Sequence, residues 1–414
     1  QTSCIYFSDN DDHSEGVLWP SEYNLKGMEI DLSIGNIQHF EICAEMKASR
    51  ISYFEGTDSV YYYGATEDCG GRMFKVFMMK IRYDYAAPPF RCRPCEAAAG
   101  LIYKLYISRY KQHHKRQYDK EEHEMRQKIF QNNWRQVIAH NEKNLSYKMA
   151  INQFSDRTPE ELRYLTATTP NPNRNSRGSV EFPHSEQELE IMMKDLPENY
   201  NMRLNGVISR VKDQGHCGSC WAFSCTAAVE GALARANGGR NLDLSEQSLV
   251  DCAWGFNNSG CDGGMLDTAF RYILKYGIPT EEEYGMYLGQ DGRCLQRSMT
   301  EVFKIRGYAR VPPLSVNAMK AALYKYGPVA VAIQAGQNLH KYSSGIFFDY
   351  ECEGIPPLAI NHGVTVVGYG VRDGTLYWIV KNSWGEDWGQ GGYVYMSATN
   401  DNCNLLTEAY YPIV

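Results

Sequence analysis

The stretch Gln214-Gly215-His216-Cys217-Gly218-Ser219-Cys220-Trp221-Ala222-Phe223 sets a cysteine behind small residues and ahead of a helix-forming run, Trp221 to Ala236. A thiol at a helix N-terminus feels the positive end of the backbone dipole. That favours thiolate, the form that attacks a carbonyl carbon. Cys217 and Cys220 also have the Cys-x-x-Cys spacing of a redox pair or half a zinc site. No thioredoxin-like strand precedes them, and the other such pair, Cys92 and Cys95, belongs to a different segment. A nucleophile is therefore the better reading of Cys220, and no metal site is expected.

A thiolate needs a base. Asn361-His362-Gly363 opens an apolar, strand-like run, Val364 to Val367, closed by Gly368-Tyr369-Gly370. A lone histidine in such surroundings is more often a satisfied structural group than a catalyst. The balance shifts with Lys381-Asn382-Ser383-Trp384-Gly385, which follows a second strand-like run, Tyr377 to Val380. The Asn382 amide can orient an imidazole as the third member of a triad does.

The elements that must position these groups are visible in outline. A chain of 414 residues exceeds one core, so two or three domains are expected. With 43% hydrophobic and 22% charged residues the composition is that of a globular protein, and no run is apolar and long enough for a membrane span. The formal charge of −7 argues against a nucleic-acid partner. Thirteen cysteines point to an oxidising compartment and the secretory route. The start, Gln1-Thr2-Ser3-Cys4, lacks the positive and apolar regions of a signal peptide, so a secretory chain would be numbered here without its signal. Asn144-Leu145-Ser146 and Asn257-Asn258-Ser259 fit the glycosylation acceptor pattern.

Along the chain, residues 1–98 read as a β-rich domain, with alternation in Gly71 to Tyr83. From about Gly100 to His140 glycine and proline vanish, and Leu105, Ile107, Tyr110, Ile129, Phe130, Trp134, Val137 and Ile138 recur at helical spacing; two helices are expected. Glu122, Arg126, Phe130, Asn133, Val137 and Asn141 share one side of the second. The polar, proline-bearing stretch over 168–188 reads as an exposed, cleavable linker. Basic residues around Lys111 to Arg116, followed by acids from Asp119 to Glu124, read as a solvated helix face.

Taken in order, the motifs around Cys220, His362 and Asn382 resemble those of papain-like cysteine proteases, the cathepsin L group in particular. The resemblance runs from about Leu196 to Val414. It implies an α+β fold, a papain-like two-subdomain peptidase with a helical left half and a β-barrel-like right half. A helical propeptide (99–167), a linker and processing region (168–195) and the N-terminal β-rich extension (1–98) precede the peptidase domain (196–414). Cys220 would be the nucleophile, His362 the base and acid, Asn382 its aligner and Gln214 the oxyanion donor, with Trp384 shielding the His–Asn bond. No cofactor is needed. The resemblance also implies the disulfides Cys217–Cys261, Cys252–Cys294 and Cys352–Cys403, and leaves Cys225 as a small buried hydrophobe. Cys4, Cys43, Cys69, Cys92 and Cys95 make an odd number upstream.

The substrate cleft would be lined by Gly263, Gly264 and Asn361, with Met265, Leu266, Ala332, Ile360 and Glu408 around the pocket for the side chain two residues before the scissile bond. Glu408 there would let Arg in beside Leu, Val or Phe. The span from Cys261 to His362 leaves no room for an occluding loop, which favours endopeptidase action. Met202 stands where the family has a tryptophan.

Glu122 to Asn141 resemble the interspersed motif of cathepsin L-type propeptides, with Val137 for isoleucine. Asn152, Phe154 and Asp156, in Ala150-Ile151-Asn152-Gln153-Phe154-Ser155-Asp156, resemble its second motif. A zymogen is implied, with Thr158 to Thr169 running backwards through the cleft and acid loosening the pairing of propeptide carboxylates with bases. Ser49 to Gly56 resemble, distantly, the extension of 26/29-kDa-type cysteine proteases. Implied partners are protein and peptide substrates, the chain's own propeptide and cystatin-type inhibitors. Implied locations are a lysosome, a digestive vacuole or the exterior. The competing reading is a catalytically idle homologue retained for binding; the presence of Gln214, Cys220, His362 and Asn382 together favours the enzyme.

Overall fold

The computed structural model describes residues 107–173, 175–352 and 359–414 in full, and the backbone of five strands nearer the N-terminus. The chain divides into two compact units, 1–142 and 143–414.

In the first unit, β1 (Phe7–Ser8) pairs antiparallel with β2 (His39–Phe40). Strands β3 (Ala48–Glu55), β4 (Val60–Glu67) and β5 (Met73–Ile81) form an antiparallel meander with Tyr62 opposite Tyr53 and Met79. The upstream cysteines lie outside the described residues. Two helices follow, α1 over 107–113 and α2 over Lys120–Asn141. Asp119 caps α2, its carboxylate accepting from the Glu122 N–H at 2.8 Å. The face read from the sequence is the buried one: Arg126, Phe130, Val137 and Asn141, joined by Trp134. Phe130 packs 5.0 Å from Tyr110 of α1. Glu122 is half-buried and pairs with Arg126 at 3.2 Å, while Asn133 is half-buried. Lys111 Nζ lies 3.5 Å from His123 Nδ1.

The second unit joins a helical half to a sheet. Helix α3 (Glu186–Met193) carries a complete capping box between Ser185 and Glu188. Helices α4 (Cys220–Ala236), α5 (Glu246–Cys252) and α6 (Leu266–Tyr276) share a core of Trp221, Val229, Leu249, Leu266, Phe270 and Ile273. Midway along α4, Gly231 meets Pro328: a Cβ there would fall 2.4 Å from the proline Cγ, so only glycine permits the approach.

The sheet runs β6 (Tyr147–Met149), β10 (Tyr342–Phe347), β13 (Tyr393–Ser397), β12 (Thr375–Lys381), β11 (His362–Arg372), β9 (Val329–Ile333), β14 (Glu408–Ile413), β8 (Gly307–Arg310), with β7 (Tyr200–Asn201) also on β11. All pairs are antiparallel except β10 with β13. β6 comes from the segment read as propeptide, yet it completes the sheet on the β10 edge, where Gly345 opposes Tyr147. Met202 is fully buried, with no polar group to satisfy.

Candidate active site

Cys220 is the first residue of α4 and has no exposed surface. His362 is the first residue of β11, held opposite Ile333 of β9. Its Nε2 lies 2.8 Å from Asn382 Oδ1. The Ser383 backbone N–H donates to the same Oδ1 at 2.9 Å, which fixes that atom as the oxygen. An accepting oxygen keeps the hydrogen on Nε2 and leaves Nδ1 for the sulfur. Trp384 stacks on the imidazole, centroids 4.8 Å apart and planes 24° apart, and covers the His–Asn pair from water. Burial pushes the Cys220 thiol up, but the neighbouring His362, the Gly363 N–H and the Thr168 hydroxyl pull it down to about 6. The difference in 240 nm absorbance between the full chain and its Cys220→Ala variant should therefore titrate with a midpoint near pH 6. Because the folded pKa is depressed from 9.0, thiolate stabilisation is present above pH 9 and lost as pH falls through about 6. A midpoint near 9 would remove the thiolate from the reading.

Gln214 is fully buried. Its Oε1 accepts from Ser383 Oγ at 2.7 Å, which turns the Nε2 donors toward Cys217 O (2.9 Å) and Leu165 O (3.4 Å). A carbonyl of the pro-segment thus lies at the amide read as the oxyanion donor. Ser383 was missed by sequence reasoning; its place in Lys-Asn-Ser-Trp, next to Asn382, was the available signal. Replacing Ser383 with alanine frees the glutamine amide to rotate. We expect kcat to fall about fivefold with KM little changed, since one neutral hydrogen bond is worth about 1 kcal/mol; unchanged kcat would show that Ser383 does not orient Gln214.

Thr168 lies over the nucleophile. Its Oγ1 is 3.1 Å from Cys220 Sγ, so the sulfur faces a hydroxyl. The segment pairs in parallel with Gly264: the Thr169 N–H donates to Gly264 O at 2.9 Å, the Gly264 N–H to Ala167 O at 3.2 Å. The Thr168 N–H reaches Asn361 O at 2.8 Å. Gly263 has φ +120° and no room for a Cβ, which would fall 2.2 Å from Ala167 O. Met265, Leu266, Ala332 and Ile360 are buried beside this segment's course, and Ala332 sits opposite Glu408 in register. The Asn171 N–H donates to Glu408 Oε1 at 2.8 Å.

Two expectations are corrected here. The cleft run does not stop at Thr169 but reaches Asn171, and then Gly178 and Val180 bridge to Ala309. The stretch from 168 is accordingly no exposed linker at its start, where Thr168 and Asn171 are buried, and it contains α3 before 195. A polar, proline-bearing composition marks inability to build a core, but backbone pairing with a ready-made cleft needs no core.

The second motif docks beside the catalytic wall. Asn152 Nδ2 donates to His340 O at 2.6 Å and Gln153 Nε2 to Trp384 O at 2.8 Å. The Phe154 ring meets Trp384 edge-on at 5.5 Å, and Asp156 is buried beside Arg157. Disulfides join Cys217 to Cys261, Cys252 to Cys294 and Cys352 to Cys403. Cys225 is free and buried, and burial pushes its thiol well up, away from reactivity. Asn144 and Asn257 are both exposed.

Comparison with known proteins agrees with this geometry. Residues 196–413 match the papain family cysteine protease model, and residues 108–162 match the cathepsin propeptide inhibitor domain (I29). The chain belongs to the papain family of cysteine proteases. It is 40% identical to "Cysteine proteinase 3" of Solanum lycopersicum over 313 residues, 75% of this chain and 85% of that one. It is 37% identical to pro-cathepsin H of Mus musculus over 326 residues, 77% and 93% of the two chains. Among solved structures, digestive procathepsin L 3 of Tenebrio molitor larval midgut superposes with TM-score 0.66 at 37% identity, covering 76% of this chain and 99% of that chain.

This papain-family member is thus a hydrolase synthesised as a precursor, with its own propeptide as inhibitor. Its substrates are proteins and peptides. Its family and its disulfides place it on the route to secretion, a lysosome or a vacuole. No helix among the described residues is long and apolar enough to cross a membrane.

Proposed function

We propose that the peptidase domain, 196–414, is an endopeptidase in which Cys220 attacks the scissile carbonyl and His362 manages the proton. The observation that carries this is the His362 imidazole anchored at 2.8 Å to Asn382, with Nδ1 left without a hydrogen bond and so able to serve a thiol whose pKa it helps to lower. Cys220 sulfur bonds to the carbonyl carbon, and the oxyanion is held by the Gln214 amide and the Cys220 N–H. Collapse breaks the C–N bond as His362 gives its proton to the leaving amine. Water, deprotonated by His362, then hydrolyses the thioester and restores the thiol. In the precursor the sulfur faces the Thr168 hydroxyl, a group with no carbonyl carbon to attack.

An epoxide inhibitor of papain-like enzymes, added after acid treatment, should label one residue. An adduct on Cys220 agrees with the assignment; labelling elsewhere overturns it. Processing near Leu196 should be faster at pH 4 than at pH 7, as pairing carboxylates are neutralised.

The buried Glu408 supports a preference for Leu, Val or Phe two residues before the scissile bond, with Arg accepted while Glu408 is ionised. Glu408→Ala should lower kcat/KM for Arg-Arg peptides about tenfold or more and change Phe-Arg peptides little, the scale of one charge-assisted contact. Equal losses on both would sink it. Exposed Asn144 and Asn257 suit glycan attachment, cystatin-type inhibitors suit the cleft once the pro-segment has left it, and a lysosome or digestive vacuole suits acid processing. Residues 1–98 serve best as a structural or localising β-domain, which deletion and a secretion assay would test.

A further inference from the structure

We infer that the neutral imidazole of His340 locks the pro-segment Asn152–Phe154 onto the catalytic wall, and that its protonation releases that segment. The inference rests on the precursor reading above and adds a sensor that lies in the peptidase half.

His340 ends a short helix, Gln337–His340, and is 8% exposed. Its ring stacks on Trp384 at 4.9 Å and 10°, on a tryptophan that also stacks on His362. The Phe154 ring closes over it edge-on at 5.9 Å, and Asn152 holds its carbonyl. In this three-ring contact neither Nδ1 nor Nε2 makes a hydrogen bond of normal geometry. A neutral ring tolerates that; an imidazolium has two N–H donors to satisfy and loses its hydration. Attraction to the Trp384 face does not repay so large a desolvation.

The charges around it reinforce this. His362 and Lys341 both oppose a positive ring, and only the Gly336 carbonyl favours one. What the pro-segment brings to the ring is an aromatic side chain, with a carboxamide on the His340 backbone carbonyl; its acid, Asp156, pairs with Arg157 at 3.5 Å. Burial draws the His340 pKa down to about 3. With the segment gone, the ring meets water and returns toward the ordinary value of about 6.5. Release therefore takes up a proton. The sign follows: the covered state is unpenalised above pH 6.5 and loses up to about tenfold in affinity for each unit below it, until the covered pKa is reached.

The test uses the full chain carrying Cys220→Ser, which cannot cleave, so its outcome is independent of catalysis. Amide hydrogen exchange of residues 152–157 is followed from pH 7 to 4.5, corrected for intrinsic rates. Opening should steepen by up to about tenfold per unit below pH 6.5, and His340→Gln should flatten that dependence at least tenfold at pH 4.5. An unchanged slope in His340→Gln overturns the inference. If that variant does not fold, NMR titration of the His340 ring in the Cys220→Ser chain decides. The ring should charge at the pH where these amides open. Charging a unit or more above it, with the segment still docked, overturns it.

Discussion

Cys220→Ser in the full chain should abolish peptide hydrolysis after acid treatment, lowering kcat by roughly 10⁵ to 10⁶, the scale found when a triad loses its nucleophile. The variant should also remain at its precursor size in acid, unless a trace of processed wild type is added. Serine keeps the size of the side chain, so the helix start and its packing survive. What is lost is a thiol already drawn to about 6 by His362, the Gly363 N–H and Thr168. A serine hydroxyl cannot be ionised to a useful extent by the same neighbours. The measurement is fluorogenic peptide turnover beside a size assay. Activity within tenfold of wild type would place the nucleophile elsewhere and leave Asn382 and Gln214 without their assigned work.

A second large effect is expected at Lys212, in the interior behind the site. Its Nζ is 3.1 Å from Glu230, 2.7 Å from Asp243 and 2.8 Å from Glu246, and it donates to Leu244 O at 2.9 Å. The Lys212, Glu230 and Glu246 side chains are 7%, 1% and 2% exposed. Glu230 lies on α4 and Glu246 on α5, so the ammonium ties the helical half to the segment leading to Gln214. Such a group need not beat a hydrophobic replacement of the whole cluster, but removing one member strands the others. Lys212→Met should cost about 3–5 kcal/mol at pH 7 and lower Tm by roughly 10 °C.

Burial raises the Glu246 carboxyl above its ordinary value of 4.5. A raised carboxylate destabilises the folded state while it is ionised and stops doing so once protonated, so the deficit of Lys212→Met should shrink as pH falls toward 4.5. Adding Glu230→Gln and Glu246→Gln should recover part of the loss. Thermal denaturation at pH 7 and 4.5 measures all three. A Lys212→Met chain within 1 kcal/mol of wild type at pH 7 would show that water, not lysine, satisfies the carboxylates.

Much of the site was legible because the features that make it reactive are local. Cys220 begins a helix, and a run of helix formers after small residues marks that position without knowledge of the rest of the fold. His362 and Asn382 each begin or follow a strand whose apolar run is plain in the chain. The buried face of α2 follows from a period of 3.6 alone. The three disulfides and the reversed pro-segment came through resemblance, since pairing of distant cysteines leaves no trace in spacing.

What the sequence by itself determined is the set of candidate reacting groups and the helices and strands they begin or follow. The tertiary structure alone decided how they are held and silenced. Ser383 turns the Gln214 amide across 169 residues, Thr168 meets Cys220 across 52, and Asn171 reaches Glu408 across 237. None of these contacts has a propensity or a period that could announce it. Nor does the dry packing of the His340 ring against Trp384 and Phe154. A helix start is a property of neighbours in the chain, whereas a desolvated ring or a steered amide exists only once separate segments pack and exclude water.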